Sequence, residues 1–108
     1  MTIAAACLDA LADETRRRVV ELLSEGPQRA GKLAEHTGTS AATMSRHLRV
    51  LLEGGLVEDE RLADDRRVRM FRLRPEPLHD LQAWLDQVQA HWTEQLHAFG
   101  SHAERRAR

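Results

Sequence analysis

One cysteine, Cys7, is all the thiol this chain has, which excludes a disulfide within the chain and any all-cysteine metal cluster built by a single copy. Cys7 itself is expected to be a small buried hydrophobe. Long apolar runs are equally scarce. The longest, Ile3 to Leu8, falls far short of the ~20 residues a membrane-spanning helix needs, and no signal-peptide pattern is present. A cytoplasmic protein without a membrane partner is therefore expected. There is no nucleophile elbow, phosphate-binding glycine loop or HExxH motif, and no Ser/His/Asp set with local support, so an enzyme is not expected. Charge of one sign is not in excess either, the formal net charge being −1. Its distribution is uneven: residues 1–27 carry −2, residues 28–74 carry +3 and residues 75–108 carry −2.

What is present is the composition of one compact soluble domain, 108 residues with 42% hydrophobic and 31% charged side chains. The domain is expected over residues 1–100. The end of the chain, SHAERRAR over residues 101–108, lacks apolar content and is expected to be a disordered tail.

The basic middle segment carries the clearest pattern. Leu33, Ala34 and Thr37 stand at helical spacing over Gly31 to Thr37, and Gly38 supplies the positive-φ residue on which a helix ends. Ser40 stands where the next helix, Ala41 to Glu53, needs an N-cap acceptor. Within that helix Met44, Leu48 and Leu51 recur at i, i+4 and i+7 as one inward stripe. Ala42, Arg46, Arg49 and Glu53 fall opposite the stripe, with Thr43 and Ser45 on its flanks. A small, hydroxylated, basic outward face suits a DNA major groove, where hydroxyls meet phosphates or bases and arginine reaches guanine edges. Two helices joined by a glycine turn in this way read as a helix-turn-helix.

Gly54-Gly55 ends the second helix. Leu56 to Arg61 then reads as a strand, Ala63 to Arg66 as a turn and Val68 to Leu73 as a returning strand, giving a β-hairpin wing. Arg66, Arg67 and Arg69 cluster near its tip, where they would meet flanking backbone or minor groove. In the returning strand Val68, Met70 and Arg72 share one face and Arg67, Arg69, Phe71 and Leu73 the other, so both faces are expected to be partly covered.

Three further helices flank this unit. Ile3 to Ala12 places Ile3, Cys7, Leu8 and Leu11 at helical spacing. Asp13 caps a second helix, Glu14 to Ser24, with Val19, Leu22 and Leu23 as its buried face and Gly26-Pro27 beyond its end. Arg16, Arg17 and Arg18 are expected to be solvated or paired with Glu14 and Glu21 rather than to be site residues. The last helix starts near Pro75 or Pro77 and runs to about Phe99. Leu78, Leu81, Leu85, Val88, Trp92 and Phe99 form a heptad-like seam on it, interrupted at Gln95 and helped by Leu96. This seam is longer than a small domain covers by itself. Burial against a two-fold mate, with Ile3 and Leu8 beside it, is the economical solution, and Trp84 and Trp92 are expected in packing rather than in a ligand cage. The expected architecture is mainly α with a small β-hairpin wing, a winged helix-turn-helix that forms a homodimer through its first and last helices.

Leu11 to Arg18 (LADETRRR), Leu33-Ala34-Glu35, Met44 to Leu51 (MSRHLRVL) and Gly55-Leu56-Val57 together resemble the ArsR-type (arsenical resistance repressor) family of small bacterial winged-helix regulators. The resemblance spans about residues 8 to 74 and continues more weakly to Phe99. It implies a homodimeric transcriptional regulator, most often a repressor, that leaves its operator when an effector binds; the effector is not identifiable here. His47 matches the family's Ser-x-His-Leu pattern and is expected to bond a phosphate or a neighbouring backbone group. Ala41 and Ala42 stand where many relatives carry a base-reading Gln, which moves base readout toward Thr43 and Arg46. The expected DNA contacts are Thr39, Ser40, Thr43, Ser45, Arg46, His47 and Arg49, with Arg66, Arg67 and Arg69 from the wing. Two recognition helices in successive major grooves about 34 Å apart imply an inverted-repeat operator, placed near the protein's own promoter.

The family's metal sensors need cysteines in the helix before recognition, and Gly31 to His36 holds none. Their alternative ligand set on the last helix is half met. His91 and His102 have its ten-residue gap, but Gln89 and Arg105 replace two ligands; His79, His91 and Glu94 fit only with a gap one residue too long. No metal site or cofactor is assigned on that basis. A zinc-type, metal-released repressor using His79, His91, Glu94 or His102 remains one alternative. A winged-helix protein-interaction module without specific DNA binding is another.

Overall fold

The computed structural model describes residues 3–107, with side chains for residues 5–100. The expected roles of Ile3 at a dimer face and of His102 as a ligand therefore lie outside the described side chains. Five helices and three short strands follow in the order α1 (Ile3–Ala10), α2 (Glu14–Leu23), β1 (Gln28–Arg29), α3 (Ala30–Thr37), α4 (Ala41–Glu53), β2 (Val57–Arg61), β3 (Arg69–Leu73) and α5 (Glu76–Ala107). The expected helix pair and hairpin are present, their bounds shifted by a residue or two.

Each helix of the central unit starts and stops for a local reason. Asp13, in extended backbone, accepts a hydrogen bond from the Arg16 amide at 3.0 Å and caps α2. α3 ends at Gly38, whose φ of 68° is the left-handed conformation that only glycine adopts without strain. Ser40 Oγ accepts from the Thr43 amide at 3.1 Å to cap α4.

The first helix is two residues shorter than its apolar spacing predicts. Asp13 must leave the helical region to cap α2, and the arginines after it serve the end of α1. Arg16 Nε donates to the Ala10 carbonyl at 2.6 Å and Arg17 Nη1 to the Leu11 carbonyl at 2.8 Å. These cations satisfy carbonyls at the negative end of the α1 dipole. Of the three arginines expected to be solvated or acid-paired, Arg18 alone meets Glu21, at 3.4 Å.

One core lies beneath these elements. Cys7, Val19, Leu33, Met44, Leu51 and Leu56 are its most fully buried side chains, joined by Leu48, Val57 and Phe71. The predicted Met44, Leu48 and Leu51 stripe is buried throughout. Cys7 is part of this core, and burial pushes its thiol pKa up, which keeps it protonated and unreactive. α1 reaches the end of the recognition helix at Gly54, where an added Cβ would stand 3.3 Å from the Val50 carbonyl and 3.4 Å from the Ala10 Cβ.

The sheet is antiparallel in the order β1-β3-β2. Val57 faces Leu73 and Arg61 faces Arg69 across the hairpin, while Gln28 and Arg29 pair with Phe71 and Met70 on the other side of β3. Strand β1 was not expected. Two residues between Pro27 and the start of α3 are too few for an alternation pattern, and their pairing depends on β3, some forty residues away. Phe71 is buried, Met70 and Leu73 are half-buried and Arg69 and Arg72 are exposed, so both faces of the returning strand are partly covered.

The last helix begins at Glu76, with Pro77 in its first turn, where a missing amide proton costs nothing. Leu78 and Leu81 pack on the core. The helix does not stop at Phe99: its backbone stays helical through Gly100 to Ala107, over residues expected to be disordered. Gly100 is not in the left-handed conformation that ends α3. Ala103, Glu104, Arg105, Arg106 and Ala107 are favourable helix residues, so a lone glycine weakens the helix there without ending it.

Candidate nucleic-acid interface

On α4 the buried stripe fixes what faces outward. Ala41, Ala42, Ser45, Arg46, Arg49, Val50 and Glu53 are exposed and Thr43 is half-buried. The two alanines at the N-terminal end leave the backbone open to close approach. Arg46 Nη2 lies 3.4 Å from Thr43 Oγ1, and Ser40 Oγ, besides capping, donates to the same Thr43 oxygen at 2.9 Å. Ser40, Thr43 and Arg46 thus form one connected polar group at the leading end of the helix. Thr39 sits lower in the turn, half-buried, with Thr37 Oγ1 at 3.1 Å.

His47 does not join this group. Its ring, 16% exposed, faces α2, with Nδ1 3.3 Å from Arg16 Nη1 and 4.0 Å from Asp13 Oδ1. The structure separates it from the outward residues with which it was grouped. The Asp13 carboxyl is held below its ordinary pKa by the Arg16 amide hydrogen bond first, with the positive charge of His47 and Arg16 adding to the effect.

The wing tip is a folded turn: Leu62 donates to the Val68 carbonyl at 3.0 Å, and Asp65 Oδ1 accepts from the Arg67 amide at 3.1 Å. Its arginines are less available than the sequence implies. Arg67 Nε lies 3.1 Å from Asp65, and Arg69 bonds Asp59 at 2.6 Å while its guanidinium stands 5.0 Å over the Phe71 ring. The Asp65 carboxyl is accordingly lowered, first by the Arg67 side chain. On the outer face Arg72 meets Glu58 and Glu60, each at 3.2 Å. Over residues 57–73 five arginines stand against five carboxylates, so the hairpin is charge-balanced. Arg66 has no carboxylate partner among the described residues and is exposed at the tip.

Between α4 and the wing lies a cleft of about 590 Å³, into which Ser45 and Arg49 of α4 and Arg67 and Arg69 of the wing project. Its floor is apolar, formed by Leu48, Leu52, Val68 and Phe71. Arg29 of β1 lines the same cleft, brought there by its pairing with Met70. Sequence reasoning missed Arg29 because its neighbourhood is created by β1, which has no local signature. The cleft therefore takes cations from three elements, the strand before the helix pair, the recognition helix and the wing.

The candidate metal ligands are not gathered within one chain. His79 and His91 are twelve residues apart on α5, about 18 Å along the axis at 1.5 Å per residue. Among the described residues no three His, Cys, Asp or Glu side chains are placed to hold an ion. No helix is long and apolar enough to cross a membrane.

A helix-turn-helix domain family matches residues 11–60, the span from the end of α1 to the middle of β2. The chain is 44% identical over 87 residues to the HTH-type transcriptional regulator Rv2034 of Mycobacterium tuberculosis, an alignment covering 81% of this chain and 76% of that protein. It is 38% identical over 52 residues to the transcriptional repressor SdpR of Bacillus subtilis, covering 48% of this chain and 58% of that one. In structure it is similar to the homodimeric winged helix-turn-helix DNA-binding domain of Mb0332 from Mycobacterium bovis, a possible ArsR-family regulator. That match has a TM-score of 0.62 and 30% identity, and covers 87% of this chain and 82% of the other. With α3 and α4 as the helix pair, β2 and β3 as the wing and Arg46 and Arg49 on the outward face, this chain belongs to the ArsR-type family of winged helix-turn-helix transcriptional regulators, proteins that act by binding DNA.

Proposed function

We propose that the protein is a homodimeric cytoplasmic repressor that binds an inverted-repeat operator near its own promoter, with one α4 in each of two successive major grooves. The observation that carries this reading is the open face of α5. Trp84, Leu85, Val88, Trp92, Leu96 and Phe99 are between 43% and 73% exposed, and Leu8 of α1 is 44% exposed. Leu85, Val88, Trp92, Leu96 and Phe99 follow one another at intervals of three and four residues, so they form a single stripe. An apolar surface of this extent on a small domain is ordinarily an interface. A two-fold axis through α1 and α5 covers it with its own copy and leaves both recognition helices outward.

A dimer also answers the weak basicity of the chain. Few phosphate contacts per subunit give low affinity, and linking two half-sites multiplies it without any new kind of contact. The basic middle segment faces DNA and the acidic ends face away. Thr43 and Arg46 read bases, while Thr39, Ser40, Ser45, Arg49 and the wing tip hold the backbone. The effector that would release the operator is left unassigned.

The deciding experiment is a fluorescence-anisotropy titration against the DNA upstream of the protein's own gene, with a shuffled duplex of equal length, at near-physiological salt. A preference of ~10³-fold or more for the upstream DNA is expected of a specific regulator. Equal, weak binding to both would refute the autoregulatory operator.

A further inference from the structure

We infer that Arg29, which lies outside both the helix-turn-helix and the wing, is a DNA-backbone contact, and that the cleft it lines holds a stretch of sugar-phosphate strand between β1, α4 and the wing. The inference rests on the DNA-binding reading and adds to it a residue and a binding mode.

Three observations lead there. The cleft opens between α4 and the wing, the two elements any duplex must meet together, and its volume of about 590 Å³ exceeds what a single phosphate group fills. Its composition is two-sided, with arginines around an apolar floor that includes Leu52, Val68 and Phe71. A nucleic-acid strand has the matching character, since anionic phosphates alternate with deoxyribose rings whose C–H faces are apolar. Finally, the cleft's arginines are not equivalent. Arg67 and Arg69 are already paired with Asp65 and Asp59, whereas Arg29 and Arg49 have no carboxylate within ion-pair distance among the described residues. An unpaired guanidinium gives up no existing partner when it takes a phosphate, and it forms two parallel charge-assisted hydrogen bonds. Arg29 and Arg49 are therefore the pair that grips the strand, while Arg67 and Arg69 shape the cleft.

β1 is suited to this role. Its backbone pairing with β3 fixes the Cα of Arg29 relative to the wing, and the exposed side chain contributes no hydrogen bond to the α3 cap. Removing the side chain thus leaves the fold's own bonds in place.

The test compares wild type, Arg29→Ala and Arg29→Lys on the upstream duplex and on a random duplex across a salt series, with thermal melts to confirm that each variant folds. Loss of one phosphate contact per subunit lowers the slope of log K against log salt by about 0.9 per subunit, about 1.8 for a dimer. At near-physiological salt Arg29→Ala is expected to weaken binding about ten-fold on both duplexes, the size of one charge-assisted contact. Arg29→Lys is expected to keep the wild-type slope. An unchanged slope in Arg29→Ala overturns the inference, and so does a loss confined to the upstream duplex, which would make Arg29 a base reader. If wild type itself shows no preference between the duplexes, the operator reading fails. The slope on random DNA still decides the role of Arg29.

Discussion

Arg16 Nη1 lies 3.3 Å from His47 Nδ1, and because a guanidinium only donates, the imidazole accepts at Nδ1 and carries its proton on Nε2. The same guanidinium donates from Nε to the carbonyl of Ala10 at the end of α1. One side chain on α2 thus touches both the helix that bears part of the open apolar face and the helix that meets DNA. Asp13, which caps α2 through the Arg16 amide, completes the cluster.

Asp13 makes this corner sensitive to acid. Its folded pKa lies below the ordinary 3.8, so its contribution to stability is fully present above the unfolded value and is lost as pH falls through the lower, folded value. Asp13→Asn keeps an acceptor for the cap but takes no charge. In urea denaturation followed from pH 7 to pH 2, the stability gap between wild type and Asp13→Asn is expected to close as the medium becomes more acidic than about pH 4. Asp13→Ala, which removes the cap, is expected to cost about 1 kcal/mol at neutral pH. A pH-independent gap between wild type and Asp13→Asn would show that the carboxylate charge contributes nothing.

Arg46 tests the assignment of base reading. Its guanidinium is exposed on α4 and tethered only through Thr43 Oγ1. Arg46→Ala is expected to cost about 1–3 kcal/mol on the preferred duplex and to relax preference at one base position per half-site, measured by competition among single-substitution duplexes. An equal loss on specific and random DNA would make it a phosphate contact instead.

The α5 stripe tests the assembly. Val88 is 49% exposed and Trp92 61%, so a charge at either position is harmless to a lone subunit but buried and unpaired at a two-fold interface. Val88→Glu and Trp92→Glu are expected to sediment as folded monomers and to lose operator affinity by about a hundred-fold or more, since avidity is lost with the second half-site. Sedimentation of either variant as a dimer would move the interface away from α5.

Much of this was legible in the chain because the signals are local. Gly38 and Ser40 act on their nearest neighbours, and the Met44, Leu48 and Leu51 stripe needs only helical periodicity to predict burial. What escaped depends on contacts distant in sequence. β1 exists only where Phe71 and Met70 are present to pair with it, and Arg29 gains its place from that pairing. His47 has the spacing of an outward flank, yet Arg16, thirty-one residues earlier, draws its ring to α2. The wing arginines read as a basic cluster because the partners of Arg69 and Arg72 lie across the hairpin, and only the register reveals them. Gly100 has the composition of a stop, but its conformation is set by the residues after it.

Gly54 has a bearing on operator architecture. With no side chain at that position, the backbone of α4 meets α1 directly, and little compressible material lies between the helix that would join two subunits and the helix that would enter the groove. In the proposed dimer the distance between recognition helices is then a rigid property of the protein. The number of base pairs between half-sites becomes a stricter requirement than any single base within them, because a mismatched base removes one contact whereas a changed spacer rotates an entire half-site out of reach.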